Sequence, residues 1–218
     1  MCITKIDWSA TTGAMLQGIG TITGAVVVLI VAIIGSLTWS RQKRAEKKAV
    51  QAERILTVAY KAQRGLSMVR NPIVPRAESD AAEAKLKKEY GASWNAGSAS
   101  EQSKWRTAQV YFNRLEQIQN VREDLLECQP IALALFGEKL EIALKDIDEV
   151  FQAVLAAVIM ERDTGGRNTD SEFERNNKEM IFSTYPSINE NKINQKIIEL
   201  IMIIKRASIP ALRFKDDR

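Results

Sequence analysis

Asp146, Asp148 and Glu149 stand within four residues of one another, and paired carboxylates are the raw material of general acid–base chemistry. That chemistry needs two acids whose surroundings push their pKa values apart inside a pocket. Here the three acids fall opposite an apolar face made by Leu140, Leu144, Ile147, Phe151, Val154 and Val158, so the spacing predicts a solvated helix face. The chain contains no histidine, which removes the commonest general base and metal ligand together. Di-iron bundles take Glu-x-x-His pairs, which this chain cannot supply. Its two cysteines, Cys2 and Cys128, lie far apart without metal-ligand spacing, and Cys128 falls at an inward position expected to be inert core.

"GIGTITG" starts like a dinucleotide fingerprint, but the sixth position is Thr23 and the run lies inside an apolar stretch instead of after a strand. The segment Asp163 to Glu174 has acids at the ends of a calcium-loop frame, yet Gly165, Arg167 and Asn168 occupy the positions that need oxygen ligands and a turn glycine. There is no phosphate-binding loop, no H-E-x-x-H and no serine elbow. No catalytic residue, metal or cofactor is therefore expected.

The organising element is the stretch "GAMLQGIGTITGAVVVLIVAIIGSLTWSRQKRAEKK". No charged residue occurs from Trp8 through Ser40, and Ala14 to Trp39 makes 26 residues. A bilayer core about 30 Å thick takes roughly 20 apolar residues in a helix. The sequence thus predicts a membrane span over residues 13–40, with Trp8 and Trp39 as interfacial anchors. A cleavable signal would carry its charges before the apolar run. Here Arg41, Lys43, Arg44, Lys47 and Lys48 follow it, which predicts a short outer N-terminus (1–12) and a cytoplasmic remainder at a bacterial inner membrane. Residues 41–76 hold ten Lys/Arg against Glu46 and Glu53, while the whole chain is only +4, so the basic character belongs to this one segment. These cations are expected to set topology and touch anionic lipid, each contributing about 1 kcal/mol near the surface. The bilayer then occupies the place where nucleic acid would bind, and no nucleic-acid partner is expected.

Gly13, Gln17, Gly20 and Gly24 follow one stripe of the span, and Gly20 with Gly24 forms a G-x-x-x-G. Small residues admit a second helix closely, and a glutamine amide can hydrogen-bond across the contact. A helix–helix contact in the membrane is the expectation, with a homo-oligomer or other membrane subunits as partners. If copies converge on this stripe, Gln17 and Thr21 would approach the axis and Val27 to Ile34 would form an apolar constriction that gates by dewetting.

Past the span, Ala45, Ala49, Ala52, Leu56, Ala59 and Leu66 repeat at helical spacing, with Ile55, Val58 and Ala62 widening the stripe. This long basic juxtamembrane helix (41–72) should end at "RNP", Arg70 suiting the last turn. Residues 73–218 read as an all-α cytoplasmic bundle. A short helix over 80–90 is followed by the loop "GASWNAGSA". A helix opens on the capping box Ser98/Glu101, carries Tyr111, Leu115, Ile118, Val121, Leu125 and Cys128 inward, and is broken by Pro130. The strongest amphipathic segment comes after Gly137. A helix over 170–182 follows, and a last one capped by Ser187 and Glu190 carries "IIELIMII", apolar almost all round.

"AERILTVAYKAQRGLSMVRNP", "YFNRLEQIQ" and "ALFGEKL" resemble segments of a group of uncharacterised bacterial single-span membrane proteins whose juxtamembrane helix ends in Arg-x-Pro. In architecture alone the chain is similar to the pore-forming accessory membrane protein of some RNA-targeting CRISPR systems. The Arg/His pair of that protein's domain has no counterpart here, since histidine is absent. The resemblance implies a non-enzymatic, self-associating scaffold or pore-type effector in bacterial defence. The alternative is an accessory subunit docked on a larger membrane complex.

Overall fold

Ala49, Ala52, Ile55, Ala59, Ala62 and Leu66, spaced at three- and four-residue steps, are all buried in the computed structural model of the chain. The structure describes residues 8–163 and 171–216, with side chains over 26–163 and 172–213. These described residues form seven helices and no strand. The first, α1, runs Trp8–Val69. The chain divides into two compact units, Met1–Lys47 and Lys48–Arg218.

In the first unit the described apolar side chains face outward. Val28 is 68% exposed, Leu29 63% and Ile34 58%. One stretch within Val26–Val69 is long and apolar enough to cross a membrane, and none of it is buried.

The second unit is a helical bundle. Besides the end of α1 it holds α2 (Arg76–Ala96), α3 (Ala99–Gln117), α4 (Gln119–Phe136), α5 (Glu138–Asp163), α6 (Ser171–Ile181) and α7 (Lys192–Asp216). The inward face of α1 is lined with alanine, and Gly65 sits so close to Ile118 that an added methyl would lie 3.3 Å from its Cδ1. Small residues of this kind let two helix backbones approach. From that point α4 runs antiparallel to α1. Glu127 pairs with Arg54 at 2.7 Å, and Phe136 lies under the Lys48 ammonium, 5.0 Å from ring centre to nitrogen. Gly137, with φ +89, reverses the chain into α5. That helix is the centre of the core: Leu140, Leu144, Ile147, Phe151, Val154 and Val158 are all buried, as their spacing predicts. Burying each large one contributes about 1.5–3 kcal/mol. α5 packs on α3, α4, α6 and α7, and α2 pairs with α3.

Four boundaries differ from the sequence expectation. The segment "GASWNAGSA" is not all loop. Helix α2 continues through Ala96 after a break at Gly91, where φ is +38, because Trp94 is buried with its ring 6.5 Å from Trp105. The expected single helix opening at Ser98 is two, divided at Ile118 (φ −107, ψ 11), although its capping box is formed with the Glu101 carboxylate accepting from Ser98 N at 2.8 Å. Pro130 does not break its helix. It lies inside α4 on the exposed side, where the Leu126 carbonyl it leaves unpaired belongs to an exposed residue that water can serve. Ser187 and Glu190 do bond each other at 2.9 Å, but on a turn before the helix; Asn191 Oδ1 accepts from Asn194 N and starts α7.

Candidate functional site

The residues singled out in the sequence fall on α1. Trp8, Gly13, Gln17, Gly20 and Gly24 lie in its first part, where the backbone is helical and the side chains lie outside the described residues. Trp39 is 62% exposed. Arg41, Lys43, Arg44, Lys47 and Lys48 are exposed as well. Lys43 pairs with Glu46 at 3.2 Å, and Lys48 lies over Phe136. Among the described residues, Arg41, Arg44 and Lys47 have no ion-pair partner. A wholly exposed apolar stretch followed by uncompensated cations is an arrangement suited to a bilayer and its headgroups.

A second constellation, which the sequence reading missed, holds the "RNP" junction. Arg70 is 1% exposed and does not serve its own helix end. Its Nε donates to the Met180 carbonyl at 2.8 Å, and its terminal nitrogens donate to the Glu179 carbonyl (2.9 Å), Asn194 Oδ1 (2.7 Å) and Asn191 Oδ1 (2.9 Å). The Arg70 carbonyl in turn accepts from Ser183 N at 2.8 Å. The guanidinium thus completes the last carbonyls of α6, where the helix dipole is negative. Asn191 and Asn194 are fixed by the same network, Asn191 Nδ2 donating to the carbonyls of Glu179, Phe182 and Tyr185. Burial pushes the Arg70 pKa down to about 10, opposed by Glu179, so the group stays charged at neutral pH.

Arg114 does the corresponding work on the other side of the junction. It is 4% exposed, donates to the carbonyls of Asn71 (2.6 Å) and Ile73 (2.8 Å), and pairs with Glu78. Tyr111 packs beneath its guanidinium, and burial raises the phenol to about 12, against the lowering effect of Arg114. The only sequence signal for this pair of clamps was an arginine ahead of a proline. Nothing in the spacing brings residue 70 to residues 179–194.

In comparison with known protein families, curated proteins and solved structures, nothing matches this chain.

The three acids separate in the fold. Glu149 is exposed and Asp146 half-buried, but Asp148 is only 6% exposed, contrary to the solvated face its spacing predicts. It accepts from Arg122 of α4 and from Gln152 Nε2 at 2.8 Å. Burial alone would raise its carboxyl; the bonds from Arg122 and Gln152 outweigh that and leave it below the usual carboxylate range. A carboxylate so paired ties two helices together and is poorly placed to move protons. A cleft of about 540 Å³ lies between α2, α3 and the end of α5, lined in part by Tyr90, Trp105, Gln109 and Arg162. Its cation is already engaged: Arg162 pairs with Asp163 at 2.8 Å and stacks over Phe112. Among the described residues no group of three acidic or cysteine side chains converges as a metal would need. Cys128 is fully buried, and burial raises its thiol.

Proposed function

We propose that this chain is a single-span protein of a bacterial inner membrane, with its N-terminus outside and its helical bundle in the cytoplasm. It self-associates and works without catalysing a reaction, as a scaffold or pore-type effector. The observation that carries this reading is the uncharged run from Trp8 to Ser40, whose described apolar side chains are exposed and which is followed at once by the cluster beginning at Arg41. In water so much exposed hydrocarbon is a severe cost; in a bilayer it is the stable state. The Gly13, Gln17, Gly20, Gly24 stripe supplies the surface on which copies would meet.

The mass of the purified chain in mild detergent tests the proposal. Several copies per particle are expected, and a Gly20→Ile, Gly24→Ile double variant should give a smaller particle. A wild-type monomer would refute self-association. Membrane-potential dyes in expressing cells then separate the two forms of the proposal, depolarisation marking a pore and an unchanged potential a scaffold.

One observation favours a second reading. On α7, Ile198 and Met202 sit one turn apart and are 52% and 44% exposed, while Ile197, Leu200, Ile201 and Ile204 face the core. Such a ridge suits an accessory subunit docked on a larger membrane complex. Foreign subunits that remain with the chain through detergent purification would favour it.

A further inference from the structure

Arginine carries five N–H donors in a fixed fork, and a buried polar group ordinarily has its hydrogen bonds made. Four donors of Arg70 are placed: Nε on the Met180 carbonyl, Nη2 on the Glu179 carbonyl and Asn191 Oδ1, and one hydrogen of Nη1 on Asn194 Oδ1. The fifth, the second hydrogen of Nη1, meets no acceptor among the described residues. No carboxylate of those residues stands within ion-pair distance of the guanidinium either. Glu179 acts on it from farther away, and its Oε1 accepts from Lys192 N at 2.7 Å. A groove of about 250 Å³ opens over this end of the side chain. Asn194, the partner of Nη1, lines it together with Arg70, whereas Glu179, Met180 and Asn191 do not, so Nη1 is the end turned toward the groove. Gln63 and Ser67 of α1 form one wall, and Ile188 and Ile198, 65% and 52% exposed, supply hydrocarbon from the turn before α7 and from α7 itself. Among the described residues, Arg70 is the only charged one in this lining.

We propose that this groove binds a small monocarboxylate carrying a short branched hydrocarbon chain. The carboxylate accepts the remaining N–H of Arg70 Nη1, and the hydrocarbon lies against Ile188 and Ile198. The inference concerns the helical bundle alone and does not rest on the proposed span. Charge selects an anion. The stretches that meet here, residues 60–70 and 179–199, hold Lys61, Arg64, Arg70, Lys192 and Lys196 against Glu179, Glu190 and Glu199, a surplus of two cations. A cation taken out of water without a counter-ion is costly, and an anion beside it relieves that cost through a bond charged at both ends. The isoleucines decide which anion: phosphate would set its oxygens against hydrocarbon, whereas a branched acid places a methyl-bearing chain there. Size decides the rest, since the groove falls below the range of about 300–1,000 Å³ typical of drug-sized ligands.

Isothermal titration calorimetry of the full-length chain in mild detergent tests this with sodium isovalerate as the probe, the heat of a protein-free detergent blank being subtracted. Saturable one-site binding is expected. It should be about tenfold or more tighter than for isoamyl alcohol, which lacks the carboxylate, and for acetate, which lacks the branched chain. Arg70 is unsuited as the test position, because the fold depends on it. Ile198→Asp and Ser67→Asp each put a carboxylate on an exposed wall position and should weaken binding about tenfold or more. Met202→Asp, at an exposed position one turn along α7 and outside the groove lining, should leave binding unchanged. No saturable heat up to millimolar isovalerate would overturn the site and assign the fifth N–H to water. Equal affinity for the alcohol, or an equal loss in Met202→Asp, would overturn it as well, since neither uses the cation in the groove. A circular-dichroism spectrum matching wild type guards each variant against misfolding, and wall positions on two different helices keep the result decisive if one variant fails.

Discussion

Arg70 is a cation enclosed by neutral acceptors: two carbonyls and two amide oxygens accept from it, and no carboxylate lies within ion-pair distance among the described residues. Removing it takes this donor from the Met180 carbonyl and Asn194 Oδ1, and one of two donors each from the Glu179 carbonyl and Asn191 Oδ1, which keep Asn191 Nδ2 and Asn194 N. Arg70→Ala should therefore destabilise the bundle by about 3 kcal/mol or more, and Arg70→Lys should not restore it, since an ammonium cannot span the same fork. Urea unfolding of the detergent-solubilised chain reads both. Because its folded pKa of about 10 lies below the unfolded value, both states hold the proton throughout the neutral range, and this network adds no pH dependence there. Asp148 behaves differently. Its folded pKa is depressed, so its stabilisation is present above the ordinary aspartate value and is lost as pH falls through the folded one. The gap in unfolding midpoint between wild type and Asp148→Asn should be widest near about pH 7 and narrow below about pH 4. A gap constant across that range would show that the Arg122 bond does not depend on the charge.

At the scale of elements, the bundle depends on how helices end. Gly137 has φ +89 and ψ 175, a region open essentially to glycine alone. An added Cβ there would meet nothing within 4 Å, so Gly137→Ala isolates the backbone cost. It should lower stability by about 1–3 kcal/mol, read as a drop in Tm with unchanged helical content. A change below a few tenths of a kcal/mol would mean the turn relaxes into another conformation. Ile118 ends α3 without proline or glycine. Its side chain fills the space beside Gly65, and packing there sets the bend between α3 and α4.

For the whole molecule, topology is the property on which the proposed function depends. Cys128 is a poor reporter of it, because full burial silences the thiol whichever side of the membrane it occupies. An exposed position is needed, and Ser100 near the start of α3 provides one with minimal change of volume on Ser100→Cys. In a Cys2→Ser background, a membrane-impermeant maleimide should leave Ser100→Cys unlabelled in intact spheroplasts and label it after lysis. Labelling of intact spheroplasts would invert the proposed orientation.

The helical class, the apolar stretch, the basic segment after it and the inward stripe of α5 were legible in the amino-acid order. Each is a local pattern, fixed by side-chain polarity repeated at the helical period or sustained over a bilayer's thickness. Asp148 was misjudged because periodicity places a residue on a face but cannot say that Arg122, 26 positions earlier, waits on the facing helix. Pro130 was misjudged for a related reason. Whether a proline ends a helix depends on what its unpaired carbonyl meets, and on α4 that side is open to water. The Arg70 and Arg114 clamps join positions separated by up to 124 residues, and their partners are largely backbone carbonyls, which every residue type carries alike. Side-chain order determined which surfaces are apolar and where the charges lie. Only the tertiary structure decided which helix ends those arginines complete, because that choice is made by chain geometry among chemically identical acceptors.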